Sequence, residues 1–216
     1  MRRPPRPPRV YAIADAEALG ALPIPEAVAA MAEAGVGWIQ VRAKRLPGER
    51  FHEAVAAACR EAARRGAELW VNDRADLAAL LPVAGVHLGQ SDLEPRLARR
   101  AVGDELWIGL STHDEEQLAA AAGDPDVDVV AVGPVFATSG KRDPDPVVGL
   151  ELVRRARRLT RKPVVAIGGI DASNIRAVLA AGADAAAVLG AVCRGDVAAN
   201  SRRLLAAAAQ APAVTR

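Results

Sequence analysis

The sequence predicts a single-domain α/β fold, a (β/α)8 TIM barrel, and three observations carry the prediction. Short apolar runs alternate with Ala-, Leu- and Arg-rich stretches of helical period. The apolar runs are continuous, the pattern of strands covered on both faces in a parallel sheet with crossover helices. The phrases AGVGWIQ, VAGVHLG and AGADAAAV each end a helix on glycine and begin the next strand at once.

In order, the predicted strands are VYAIA (10–14), WIQVR (38–42), ELWV (68–71), GVHL (85–88), LWIGL (106–110), VDVVAV (127–132), PVVAIG (163–168) and AAAVL (185–189). The helices between them centre near residues 30, 57, 78, 98, 118, 155 and 177, with a last one near 203. Eight such units in 216 residues fit a closed barrel of compact size. An open doubly wound sheet would need a glycine-rich dinucleotide fingerprint after an early strand, and none is present. The start, MRRPPRPPR, is basic, Pro-rich and without the apolar stretch of a secretory signal. It is read as a disordered tail (1–9), with the barrel spanning 10–210 and a short C-terminal tail at 211–216.

Composition excludes several classes. Lys plus Arg number 28 against 26 Asp plus Glu, too near balance for a nucleic-acid-binding face. No apolar run approaches the ~18 residues of a membrane span. Hydrophobic residues make up 51% but aromatics only 3%, so the core is expected to be aliphatic. Cys59 and Cys193 stand far apart without metal-ligand spacing, as expected of reduced, buried thiols in a cytoplasmic protein. No exposed apolar stripe identifies an oligomer surface, and a homodimer is left open.

Active sites in this fold lie where strands end and helices begin. The second strand ends Gln40-Val41-Arg42-Ala43-Lys44, and alternation puts Gln40, Arg42 and Lys44 on one side. Such a row reads either as a solvated strand end or as a cationic rim for an anionic substrate. Asn72 and Asp73 end the third strand and Asp92 follows the fourth. Each could cap a helix, and the two acids together could hold one Mg²⁺, which takes one or two carboxylates plus water and phosphate oxygens. Ser111 offers a hydroxyl after the fifth strand. His113 is an acid–base candidate or an ordinary helix start. Gly168, Gly169 and Gly190 follow the last two strands, where backbone N–H groups can face a phosphate. The stretch GPVFATSGKRDPDPVVGLE (133–151) is long for a connection and carries Thr138, Ser139 and Lys141, as expected of a lid over the substrate. Together these suggest two phosphorylated groups, a monophosphate on the glycines and a pyrophosphate near the metal.

The motifs QVRAK (40–44), VNDR (71–74), GVHLGQSDL (85–93), IGLSTH (108–113), GPVFATSGK (133–141), DPVVGLE (145–151), VVAIGGI (164–170) and AGADAAAV (181–188) occur in that order. With them the chain resembles the thiamine phosphate synthases from about Tyr11 to about Leu205. The resemblance implies transfer of a hydroxymethylpyrimidine from its pyrophosphate to a thiazole phosphate. It implies Mg²⁺ on Asp73 and Asp92, and pyrimidine and pyrophosphate contacts at Gln40, Arg42, Lys44 and Asn72. It further implies Ser111 beside the reacting pyrimidine, Thr138 and Lys141 on the pyrophosphate, and Gly169 with Gly190 at the thiazole phosphate. Ser111, Lys141 and Arg42 are the expected catalytic groups, and Ser139 is an added substrate contact. Three positions depart from the family pattern: Ala14 and Gly140 replace hydroxyl residues, and Gly190 stands where Ser is frequent. The competing readings are a related thiazole tautomerase, which would lean on His113, and a barrel that binds a phosphorylated ligand without turnover.

Overall fold

In the computed structural model, which describes residues 6–138 and 146–212, eight parallel strands close into a barrel in sequence order. They are β1 (Val10–Asp15), β2 (Trp38–Arg42), β3 (Glu68–Asn72), β4 (Gly85–Leu88), β5 (Trp107–Thr112), β6 (Val129–Val132), β7 (Val164–Ile167) and β8 (Ala185–Val188). The ring is sealed by β1 against β8, with Tyr11 opposite Ala187. The covering helices are α2 (Ile24–Glu33), α3 (Gly48–Arg64), α4 (Ala75–Ala78), α5 (Pro95–Val102), α6 (Glu115–Gly123), α7 (Gly149–Leu159), α8 (Ile175–Ala180) and α10 (Val197–Ala209). Two further single-turn helices, α1 (Ala16–Leu19) and α9 (Gly190–Cys193), lie directly after β1 and β8. Neither was expected, because four residues show no helical period; the local signal for α1 is Asp15, whose carboxylate accepts the Ala18 N–H.

Two apolar layers hold the fold together. Between strands and helices the packing is aliphatic, as expected, with Val28, Ile39, Val71, Ile108, Leu118 and Ile175 fully buried. Inside the barrel the expectation fails, because its floor is aromatic: Tyr11, Trp38, Trp70 and Trp107 meet there. The Trp38 and Trp70 rings lie 4.7 Å apart. Such rings fill the space left by small inward residues such as Ala131, Ala185 and Ala187 on the opposite wall. Gly85 makes this packing feasible, since a Cβ there would sit 2.7 Å from the Trp70 ring.

Away from the mouth, one polar device occurs twice. Arg99 on α5 donates to Asp128 at 2.6 Å, and Asp128 also accepts the Ile108 N–H near the start of β5. Arg157 on α7 donates to Asp184 at 2.8 Å, and Asp184 accepts the Val164 N–H that opens β7. Each arginine also donates to backbone carbonyls beyond its helix, so one side chain ties helix end, strand start and next strand together. Arg9 makes a similar closure by donating to the carbonyls of Ala208, Ala211 and Pro212, which places it in the barrel framework. Among the described residues no helix is long and apolar enough to cross a membrane.

Candidate active site

The C-terminal ends of the strands surround a cavity of about 510 Å³. Alternation along the strands decides what it contains. Tyr11, Gln40, Asn72, His87 and Ser111 all point inward and line it. Gln40 is 3% exposed, and its amide nitrogen donates to the Tyr11 hydroxyl at 2.9 Å, which fixes the amide on the cavity floor. Ser111 Oγ lies 2.9 Å from His87 Nε2. Gly109 lets the imidazole stand there, because a Cβ at that position would lie 2.6 Å from His87 Nδ1.

Arg42 also lines the cavity, and Asp15 holds it. The Asp15 carboxylate is 3% exposed and serves both the guanidinium and the N-terminus of α1. One Arg42 nitrogen is therefore engaged, while the guanidinium keeps further donors for an anion. Lys44 does not line the cavity. It lies on the rim, with its ammonium 2.5 Å from Asp73.

Asp73 and Asp92 come together on the same rim. Asp73 has φ of 63°, a left-handed conformation that Asp tolerates better than most residues. Burial pushes the Asp73 carboxyl above the usual carboxylate range; the Lys44 ammonium opposes this and the neighbouring Asp92 adds to it. Asp92 accepts the Gly89 N–H at 2.7 Å, so it also shapes its own turn. Among the described residues no group of three or more His, Cys, Asp or Glu converges on one point.

Across the barrel the wall is backbone-rich. Gly168 and Gly169 have φ of 104° and 63°. A Cβ on Gly169 would sit 2.7 Å from Phe136 Cβ, and Phe136 N–H donates to the Gly168 carbonyl at 3.0 Å. These glycines thus admit the segment after β6 to the cavity edge, where Thr138 lies. Gly190 and Arg194 complete this side. Ser139 and Lys141, like Gly140, lie outside the described residues.

Several cavity residues escaped the sequence reading: Tyr11, His87, Asp171 and Arg194. For Tyr11 and His87 the usable signal was parity, since each shares inward phase with a recognised residue on its own or the adjacent strand. His113 does line the cavity, and its Nδ1 donates to the Gly133 carbonyl at 2.6 Å. Its neighbour Asp114 caps α6 by accepting the Gln117 N–H, so the helix start expected at this position is present. Ala14 is fully buried in the strand–helix layer and does not line the cavity.

The geometry has parallels in known proteins. Residues 10–192 match the family model described as thiamine monophosphate synthase. The chain is 45% identical over 186 residues to a thiamine-phosphate synthase of Koribacter versatilis (strain Ellin345), covering 84% of this chain and 87% of that protein. It is 39% identical over 199 residues to one from Moorella thermoacetica (strain ATCC 39073 / JCM 9320), covering 90% and 93%. The solved thiamine phosphate pyrophosphorylase from Pyrococcus furiosus superposes with a TM-score of 0.85 at 31% identity, over 94% of this chain and 96% of that one. The chain belongs to the thiamine monophosphate synthase family.

Proposed function

We propose that this chain joins a hydroxymethylpyrimidine pyrophosphate to a thiazole phosphate, giving thiamine phosphate and pyrophosphate. One observation carries the reading. Gln40, Arg42, Asn72 and Ser111 share a single cavity with Gly169 and Gly190, while the acid pair stands on the adjoining rim. That distribution suits one ligand with a diphosphate beside the acids and a second ligand with a monophosphate across the barrel.

The bond between the pyrimidine methylene and its pyrophosphate oxygen breaks, and the oxygen keeps the electron pair. The thiazole nitrogen then donates its lone pair to the methylene carbon and becomes a thiazolium nitrogen. The aminopyrimidine ring donates electrons to the methylene, so departure can precede attack. Gln40 and Asn72 orient the ring, and Ser111 stands beside it, held by His87. Arg42, Lys44, Thr138 and Lys141 offset the charge that grows on the leaving group, with Ser139 as a further contact. Gly169 and Gly190 seat the thiazole phosphate. Holding both partners in line supplies several kcal/mol of the barrier reduction, as an order of magnitude.

The acid pair fits Mg²⁺. Two hard carboxylates lie close enough for Asp92 to raise Asp73, and a cation already sits 2.5 Å from Asp73 in the form of the Lys44 ammonium. Asp73 and Asp92 would hold the ion, and when bound it would neutralise charge on the departing diphosphate.

The test mixes purified protein with both phosphorylated substrates and Mg²⁺ and assays thiamine phosphate. Product is expected, and its absence from folded protein would sink the reading. Tautomerisation of a thiazole carboxylate phosphate without Mg²⁺ would point to the tautomerase. Ligand binding without turnover would point to a non-catalytic barrel.

A further inference from the structure

The side of the cavity at β7 and β8 carries a feature outside the family motifs. After β8 the chain folds back through α9: Cys193 N–H donates to Leu189 O at 3.0 Å and Arg194 N–H to Gly190 O at 3.3 Å. Asn200 holds the Arg194 carbonyl at 2.8 Å, and Gly195, at φ of 82°, redirects the chain. This turn returns the Arg194 side chain over Gly190. An ideal Cβ on Gly190 would lie 3.8 Å from the guanidinium carbon. The guanidinium thus stands within van der Waals reach of position 190.

Charge gives the placement a purpose. Asp171 lines the same cavity, and hydrogen bonds from Ser173 hold its carboxyl below the usual range, so it is ionised at neutral pH. A phosphate dianion seated near Gly169 would face that carboxylate. The only Arg or Lys side chains among the described lining residues are Arg42 and Arg194. Arg42 stands at the end of β2, held by Asp15 at the end of β1. Arg194 is the cation on the glycine side.

The geometry points to Arg194 as a phosphate-binding, specificity-determining residue that grips the monophosphate of the thiazole partner above Gly190. The inference rests on the proposed function for the identity of that ligand. A guanidinium fork suits a phosphate by charge and shape.

The test compares wild type with Arg194→Ala and Arg194→Lys. In Arg194→Ala the KM for thiazole phosphate should rise about tenfold to a hundredfold. Its kcat and the KM for the pyrimidine pyrophosphate should stay within about twofold, since the charge developing at the leaving group is untouched. The dephosphorylated thiazole alcohol should be used equally poorly by both proteins, and Arg194→Lys should recover part of the loss. Calorimetric binding of thiazole phosphate should weaken by the same factor without any turnover. An unchanged KM and an unchanged binding constant would overturn the proposal, as would equal losses for phosphate and alcohol. If wild type binds the thiazole phosphate but makes no product, the proposed function fails while the calorimetry still judges Arg194. A wild type that binds no thiazole phosphate overturns both.

Discussion

The Lys44 ammonium lies 2.5 Å from a carboxylate oxygen of Asp73, and the Asp92 carboxylate adjoins the same group. One cation thus already balances part of an acid pair that Mg²⁺ is proposed to occupy. Burial and Asp92 hold the Asp73 carboxyl above its ordinary range despite Lys44. Protons therefore compete with the metal earlier on acidification than they would at a solvated carboxylate. The concentration of Mg²⁺ giving half-maximal activity is expected to rise as pH is lowered from neutrality. Titrating Mg²⁺ at several pH values checks this, and a constant requirement would contradict it.

Asp92→Asn separates metal binding from turn formation. The Asn side-chain oxygen can still accept the Gly89 N–H that Asp92 now accepts at 2.7 Å. Thermal stability should change little, while activity at fixed Mg²⁺ should fall on the order of a hundredfold. Lower stability with full activity per folded molecule would leave Asp92 as a turn former alone.

Gly109→Ala tests whether His87 positions Ser111. The new methyl would meet His87 Nδ1 at 2.6 Å, so the imidazole must shift and its 2.9 Å contact with Ser111 must lengthen. Displacing a reacting-group neighbour by about 1 Å can cost up to roughly a hundredfold in rate. We expect kcat to drop at least about tenfold with the far-ultraviolet spectrum intact. Unchanged kcat would show that Ser111 needs no support from His87.

Sequence carried the ring of strands well because each strand is a continuous apolar run, and Trp38–Arg42 and Gly85–Leu88 match the expected boundaries. It carried Gln40, Arg42, Asn72 and Ser111 because polar residues at strand ends stand out against such runs. Tyr11 and His87 stayed hidden because facing inward becomes visible only once register closes the barrel, with Tyr11 beside Trp38 and His87 beside Gly109. Ala14 shows the converse: it departs from the family pattern, but parity turns it toward the helices. Arg194 was illegible because its approach to Gly190 depends on a four-residue helix with no periodic signature. The pairing of Arg157 with Asp184 spans 27 positions, which no local pattern announces.

That last pair supports a stability prediction. The Asp184 side chain is 7% exposed and takes both the Arg157 guanidinium and the Val164 N–H. Arg157→Ala would take the guanidinium away from a buried carboxylate and a donor away from each of the Thr160 and Lys162 carbonyls. The expected loss is about 3 kcal/mol, or roughly 10 °C in Tm for a domain of this size. Activity of the folded fraction should be unchanged, because the pair lies at the strand starts, away from the mouth. A drop in kcat with unchanged Tm would refute this division of labour.

Alkaline unfolding gives a separate check on the buried thiols. Burial pushes the Cys193 thiol up to about 11, and the Cys59 thiol is likewise pushed up to about 11. The Cys193 S–H also donates to the Ile13 carbonyl at 3.1 Å, a bond the thiolate could not make. In the unfolded chain a thiol titrates near about 8.5. Between those values the unfolded state has released a proton that the folded state retains, so rising pH favours unfolding. Stability is full below the unfolded value and is lost progressively up to the folded one, at about 1.4 kcal/mol per pH unit for each thiol. Tyr11, raised by burial on the barrel floor, adds to the loss in the same direction at higher pH. Urea midpoints should therefore fall steadily across the alkaline range, and Cys193→Ala should reduce the slope. A slope unaffected by the substitution would mean that Cys193 titrates alike in both states.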